Sequence, residues 1–100
     1  MNRKHFITVT EWQDKVFTKA TPLSCVNHLE EEIGELKRVI EDGDPAQEEI
    51  ADCFLLLFGV CNKLGLGFED VLTIIDEKME VNYKRKWGSV NDKGYVKHVE

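Results

Sequence analysis

The chain has 100 residues, 42% hydrophobic and 32% charged, with a net charge of −6. That length holds one domain, residues 1–100, and the apolar content excludes a disordered chain. The negative balance argues against a polymeric nucleic acid or an anionic membrane as partner, because both are met by basic surfaces.

The opening stretch MNRKHFITVT is basic but has no apolar segment or small-residue cleavage site, so no secretory signal is expected. The longest apolar run, CFLLLFGVC at 53–61, is too short to cross a bilayer. Cys25, Cys53 and Cys61 form no CxxC pair, and an odd number of cysteines without a signal predicts reduced thiols in a cytoplasm. His5, His28 and His98 are scattered and make no zinc pattern with them.

Helical signals follow one another along the chain. A short first helix is predicted from about Thr10 to Lys19. Thr21 before Pro22 is an N-cap with proline in the first turn, and that helix should run to Asp42 and stop at Gly43. Asp44 and Pro45 repeat the start signal for a third helix, which reaches Leu64 and stops at Gly65. A fourth is predicted from Phe68 to Trp87, ending at Gly88, with an irregular polar tail after it. The expected fold is all-α: a small antiparallel bundle of about four helices, completed by oligomerisation.

In the second helix Leu23, Val26, Leu29, Ile33, Leu36 and Ile40 form the apolar stripe. Glu31 and Glu35 lie nearly opposite it, while Glu32 sits to one side next to His28. Such an acidic face is either solvated or neutralised by a multivalent cation. The third helix favours the cation. Glu49 and Asp52 share a face with Leu56 and Val60, where unpaired charge is costly. Ile50, Phe54, Leu57 and Cys61 form its other apolar face, so the helix should be covered on both sides, the Leu56 and Val60 side by a second subunit.

The fourth helix begins with Phe68, Val71, Ile74, Ile75 and Met79 as its stripe, and that stripe ends as Lys78, Asn82 and Arg85. These three either snorkel from a frayed end into water or face a ligand. Carboxylates to hold Mg²⁺, beside cations to hold phosphate oxygens, suit a phosphate-bearing ligand.

EEIGE at 31–35 followed by EIAD at 49–52 resembles the EExxE…ExxD pattern of the MazG-like all-α nucleoside triphosphate pyrophosphohydrolases. EWQ at 11–13, HLEEEIGEL, EEIADCFLLL, EKMEVNYKRKWG and GYVKHV extend the resemblance over nearly the whole chain, to the phage and bacterial dATP/dGTP subgroup that includes the MazZ-type enzymes. The resemblance implies cleavage of a purine deoxynucleoside triphosphate to monophosphate and pyrophosphate by a homodimer or homotetramer, in the host cytoplasm if the chain is phage-encoded. It implies Mg²⁺, with Mn²⁺ as a substitute, held by Glu31, Glu35 and Asp52, with Glu32 and Glu49 completing the shell. Glu32 or Glu49 is then the base for the attacking water. Lys78 and Arg85 neutralise the departing pyrophosphate, and Asn82 bonds a phosphate or the sugar. Trp12 and Gln13 are candidates to stack on and read the base, with bundle-end packing an equal alternative for Trp12. Two other functions fit the same chain: a related hydrolase of dUTP/dCTP or a phosphoribosyl-nucleotide, and a helical binding module without turnover.

Overall fold

Two helix-terminating glycines set the frame. The computed structural model describes residues 1–99. Gly43 (φ 75°) and Gly65 (φ 79°) adopt the left-handed conformation that glycine reaches without a Cβ clash. Each closes a Schellman motif. Asp44 N–H donates to Val39 O and Gly43 N–H to Ile40 O; Leu66 N–H donates to Cys61 O and Gly65 N–H to Asn62 O. Helix α2, Pro22–Glu41, starts at a reciprocal Thr21–Ser24 capping box. After the turn comes α3, Gln47–Lys63, and the two helices pack against each other as the principal pair of the molecule.

Helix α1 runs Arg3–Val16, earlier than the sequence predicts. The Asn2 side chain caps it by accepting from His5 N–H at 2.9 Å, so its start at Arg3 lies seven residues before Thr10. Phe6, only 3% exposed, is its anchor. The ring meets Phe58 of α3 edge-on at 5.4 Å and Phe68 at 5.8 Å. Phe68 opens α4, Phe68–Lys84, whose N-terminus Arg3 also reaches through an ion pair to Glu69.

Three expectations need correction. The third helix is capped at Ala46, without a side-chain cap from Asp44. Helix α4 stops at Lys84 rather than Trp87, because Arg85 turns extended and the Trp87 indole N–H takes the Asn82 carbonyl at 3.1 Å. The polar tail forms an antiparallel hairpin, β1 (Lys86–Val90) with β2 (Val96–Val99), in which Trp87 pairs with His98. Its turn is built by Asn91, whose Oδ1 accepts from the Lys93 and Tyr95 amides, and by Gly94 at φ 89°.

The fold is all-α with four helices, as expected, and α1 and α4 do not enclose the α2–α3 pair. Helix α4 leaves α3 through a bend of 106° and packs on α1. The radius of gyration is 16.0 Å, against about 13 Å for a compact domain of this length. The uncovered side of α3 is therefore the reverse of the one expected. Leu56 and Val60 are half-buried, while Phe54 (57%) and Leu57 (47%) stand open beside exposed Ile50 and Leu64. Among the described residues no single helix is long and apolar enough to cross a membrane.

Phe6 is the joint between three helices, so Phe6→Ala should destabilise the protein by about 3–5 kcal/mol, read from denaturant unfolding. A loss below about 1 kcal/mol would place the joint elsewhere.

Candidate active site

Helical spacing lines up one face each of α1, α2 and α3 around a cavity of about 690 Å³. Helix α2 supplies Cys25, His28 and Glu32, three and then four residues apart. Helix α3 supplies Asp52, Leu55, Leu56, Gly59, Asn62 and Lys63, and α1 supplies Trp12, Gln13 and Val16. The α1–α2 connection, Phe17 to Ala20, closes one end. The volume suits a small organic ligand with one ring system.

The side of α2 that holds Glu32 turns inward. Leu23, Ile33 and Ile40, expected in the core stripe, are exposed, whereas Glu32 is partly buried. Its Oε1 lies 3.5 Å from His28 Nε2. Asp52 of α3, itself exposed, lines the same cavity. Both carboxylates act on Cys53: burial raises the pKa of its thiol first, and the charges of Glu32 and Asp52 raise it further.

The other predicted acids stand differently. Glu31 is exposed, Glu35 pairs with Arg38 at 3.0 Å, and neither these nor Glu49 lines the cavity. Among the described residues, no three His, Cys, Asp or Glu side chains are close enough together to hold a metal ion. The donor set nonetheless fits Mg²⁺ or Mn²⁺. It is all carboxylate oxygen, which hard cations prefer. The pairs that divert Glu32 and Glu35 are to half-exposed partners, and such pairs hold by only about 0–1 kcal/mol.

Lys78, Asn82 and Arg85 do not reach this cavity within one chain. They sit on α4 and at its end, where Arg85 Nη1 lies 3.5 Å from His98 Nδ1. The Asn82 side-chain oxygen is buried there without a partner among the described residues.

Trp12 and Gln13, by contrast, both face the cavity. Gln13 Nε2 donates to the Leu55 carbonyl at 2.8 Å, tying α1 to α3. Gly59 is the close-approach point. A Cβ there would lie 3.6 Å from both Cys25 Sγ and Gln13 Oε1. The sequence held a signal for this contact that the reading above did not use: a glycine inside an apolar helix, which costs roughly 1 kcal/mol relative to alanine. Asn62 and Lys63 were also missed. They donate to Asp14 Oδ1 at 2.9 and 3.0 Å, and no local pattern pairs residues 48 and 49 positions apart.

A family model of dATP/dGTP pyrophosphohydrolases matches residues 4–100. The chain belongs to this family. No curated protein matches the sequence. Among solved structures, the fold is similar to the MazG-like pyrophosphohydrolase of cyanophage S-2L, described as bound to dGDP and three catalytic Mn²⁺ ions per active site. The two share 25% identity at a TM-score of 0.80, over 100% of this chain and 99% of that one. In this dATP/dGTP pyrophosphohydrolase the family's acidic motif thus falls on the α2–α3 pair, with Glu32 and Asp52 at the cavity wall.

Asp14 offers a pH test of the cavity's far end. Hydrogen bonds from Lys63, then Asn62, hold its carboxyl below the ordinary carboxylate range. A depressed pKa contributes stability above the ordinary value, and that contribution is lost as pH falls through the lowered one. Carboxyl NMR should therefore find Asp14 titrating below a free aspartate, and Lys63→Met should move it upward. An unmoved midpoint would mean that the tie is absent in solution.

Proposed function

We propose that this chain hydrolyses a purine deoxynucleoside triphosphate, dATP or dGTP, to the monophosphate and pyrophosphate with a divalent cation. The observation that carries the reading is the pair Glu32 and Asp52, brought from successive helices to one wall of a cavity that also holds Trp12. The family match over residues 4–100 supports the reaction class. The relative's dGDP and Mn²⁺ support the ligand and the ion.

Glu31, Glu32, Glu35, Glu49 and Asp52 are the residues that would hold Mg²⁺, or Mn²⁺ in its place. Bound there, the ions supply neutralising charge for the phosphates and acidify a water. Of the two candidate bases, Glu32 is favoured over Glu49 because it alone lines the cavity. His28, 3.5 Å from it, is placed to take the proton onward. Trp12 stacks on the base, while Lys78, Asn82 and Arg85 hold the triphosphate and the departing pyrophosphate.

Because α4 packs on α1 and not around the cavity, those three residues serve the site of a second copy. The open Ile50–Phe54–Leu57–Leu64 stripe supports the same assembly. Each large side chain covered there gains about 1.5–3 kcal/mol, comparable in sum to the whole stability of a small domain. A homodimer, alone or paired into a homotetramer, closes the surface by symmetry. Three free cysteines suit a cytoplasmic protein, and the net charge of −6 leaves polymeric nucleic acid and membranes as unsuitable partners.

A panel of nucleoside triphosphates with Mg²⁺ tests the reaction. Monophosphate and pyrophosphate should appear from dATP or dGTP and vanish with excess EDTA. Diphosphate with orthophosphate as the first products would overturn the reading. Asp52→Asn and Glu35→Gln should abolish turnover while leaving the metal-free protein as stable or more so, since each removes a like charge worth a few tenths of a kcal/mol per pair. A fall in Tm in both would make these acids structural.

Subunit mixing tests the assembly. Arg85→Ala should lower kcat/KM at least about tenfold, as loss of a charge-assisted bond does. Mixed with inactive Asp52→Asn after reversible dissociation, it should restore up to about a quarter of wild-type activity, because half the dimers are then mixed and each has one intact site. Additive residual activities alone would confine the site to one chain.

A further inference from the structure

Gln13 carries a polar atom that the fold leaves without a partner. The residue is only 9% exposed. Its Nε2 is committed to the Leu55 carbonyl at 2.8 Å, and its Oε1 is buried with nothing among the described residues donating to it. The amide cannot turn over. The Leu55 carbonyl only accepts, so exchanging the two ends would set two acceptors against each other. A buried acceptor held in one orientation requires a donor from elsewhere.

The residue lies at the wall of the cavity. Oε1 stands beside Gly59, where a Cβ would lie at 3.6 Å and take up the space next to the oxygen. Cys25 Sγ forms the floor there and Trp12 the neighbouring wall of the same cavity. A flat heterocycle stacked on Trp12 would bring its hydrogen-bonding edge toward that oxygen.

We propose that Gln13 Oε1 is the group that reads the base, and that it selects purines presenting an N–H on their Watson–Crick edge. This rests on the nucleotide reading above. Adenine offers its 6-amino group at that edge, and guanine its ring N–H and 2-amino group. One acceptor can therefore serve both purines, whereas a purine without ring substituents leaves it empty. Gln13 is a specificity residue, with its alignment set by α3 through Leu55 and its access by Gly59.

The test compares dATP with the 2′-deoxyribonucleoside triphosphate of unsubstituted purine, which lacks any N–H on that edge. The wild-type protein should favour dATP in kcat/KM by at least about tenfold. Gln13→Met keeps the length of the side chain and removes the acceptor, and it should bring that ratio to within about twofold of unity. Equal use of the two substrates by the wild type, or an unchanged ratio in the variant, would overturn the proposal. If Gln13→Met does not fold, binding of dAMP against the unsubstituted purine monophosphate to the wild type decides, read by calorimetry without turnover. A preference for dAMP of about tenfold supports the proposal, and no preference overturns it. Failure to release pyrophosphate from any triphosphate would instead sink the hydrolase reading, while the dAMP comparison would still judge Gln13.

Discussion

The antiparallel pairing of α2 with α3 is the constraint on which everything else in this molecule depends. A turn of a few residues, closed by the left-handed Gly43, returns the chain along its own path. The register of that return sets Glu32 of α2 and Asp52 of α3 around one cavity. Two carboxylates that line one cavity repel, Asp52 in the open and Glu32 half-buried, as is their neighbour Cys53. Here packing opposes electrostatics, because the helices pair through their apolar faces whatever charges lie beside them.

Helix α1 converts the pair into a site. It is held at three places by three kinds of interaction: the Phe6 ring against Phe58 and Phe68, the Gln13 amide on the Leu55 carbonyl, and the Asp14 carboxylate with Asn62 and Lys63. The spacing of 6, 13 and 14 puts all of them on the side of α1 that meets α3. The same contacts angle Trp12 and Gln13 into the cavity. The interactions that hold this wall and the lining of the cavity thus share side chains, most plainly in Gln13, whose nitrogen is tied to α3 and whose oxygen is buried beside Gly59.

Openness is the other consequence. With α4 bent 106° away from α3, Ile50, Phe54, Leu57 and Leu64 lack a cover within the chain. The cationic end of α4 is likewise separated from Glu32 and Asp52. Both features arise from one bend, at the Leu64–Gly67 connection, where the Schellman turn at Gly65 stops α3 and Asp70 accepts the Gly67 N–H to start α4 in a new direction.

Local chemistry determined much of this structure from the sequence alone. Four helices, the glycine stops at 43 and 65, and the Thr21–Pro22 start are written in residues a few positions apart, and they formed as expected. Family resemblance added the acidic motif. The hairpin at 86–99 was also legible in principle, since Asn91 and Gly94 carry turn chemistry, but its polar composition hid it from a helical period. What only the tertiary structure decided are the contacts between distant residues. Helical periodicity sorted α2 around the wrong centre, because it could weigh Leu23, Ile33 and Ile40 but not the partner that selects a face; α3 chose the side with Cys25 and Glu32. The direction of α4, the open side of α3, and the pairing of Gln13 with Leu55 depend on packing over tens of residues. No stretch of neighbouring side chains encodes such an angle, because it is set by which apolar surfaces meet once the helices exist.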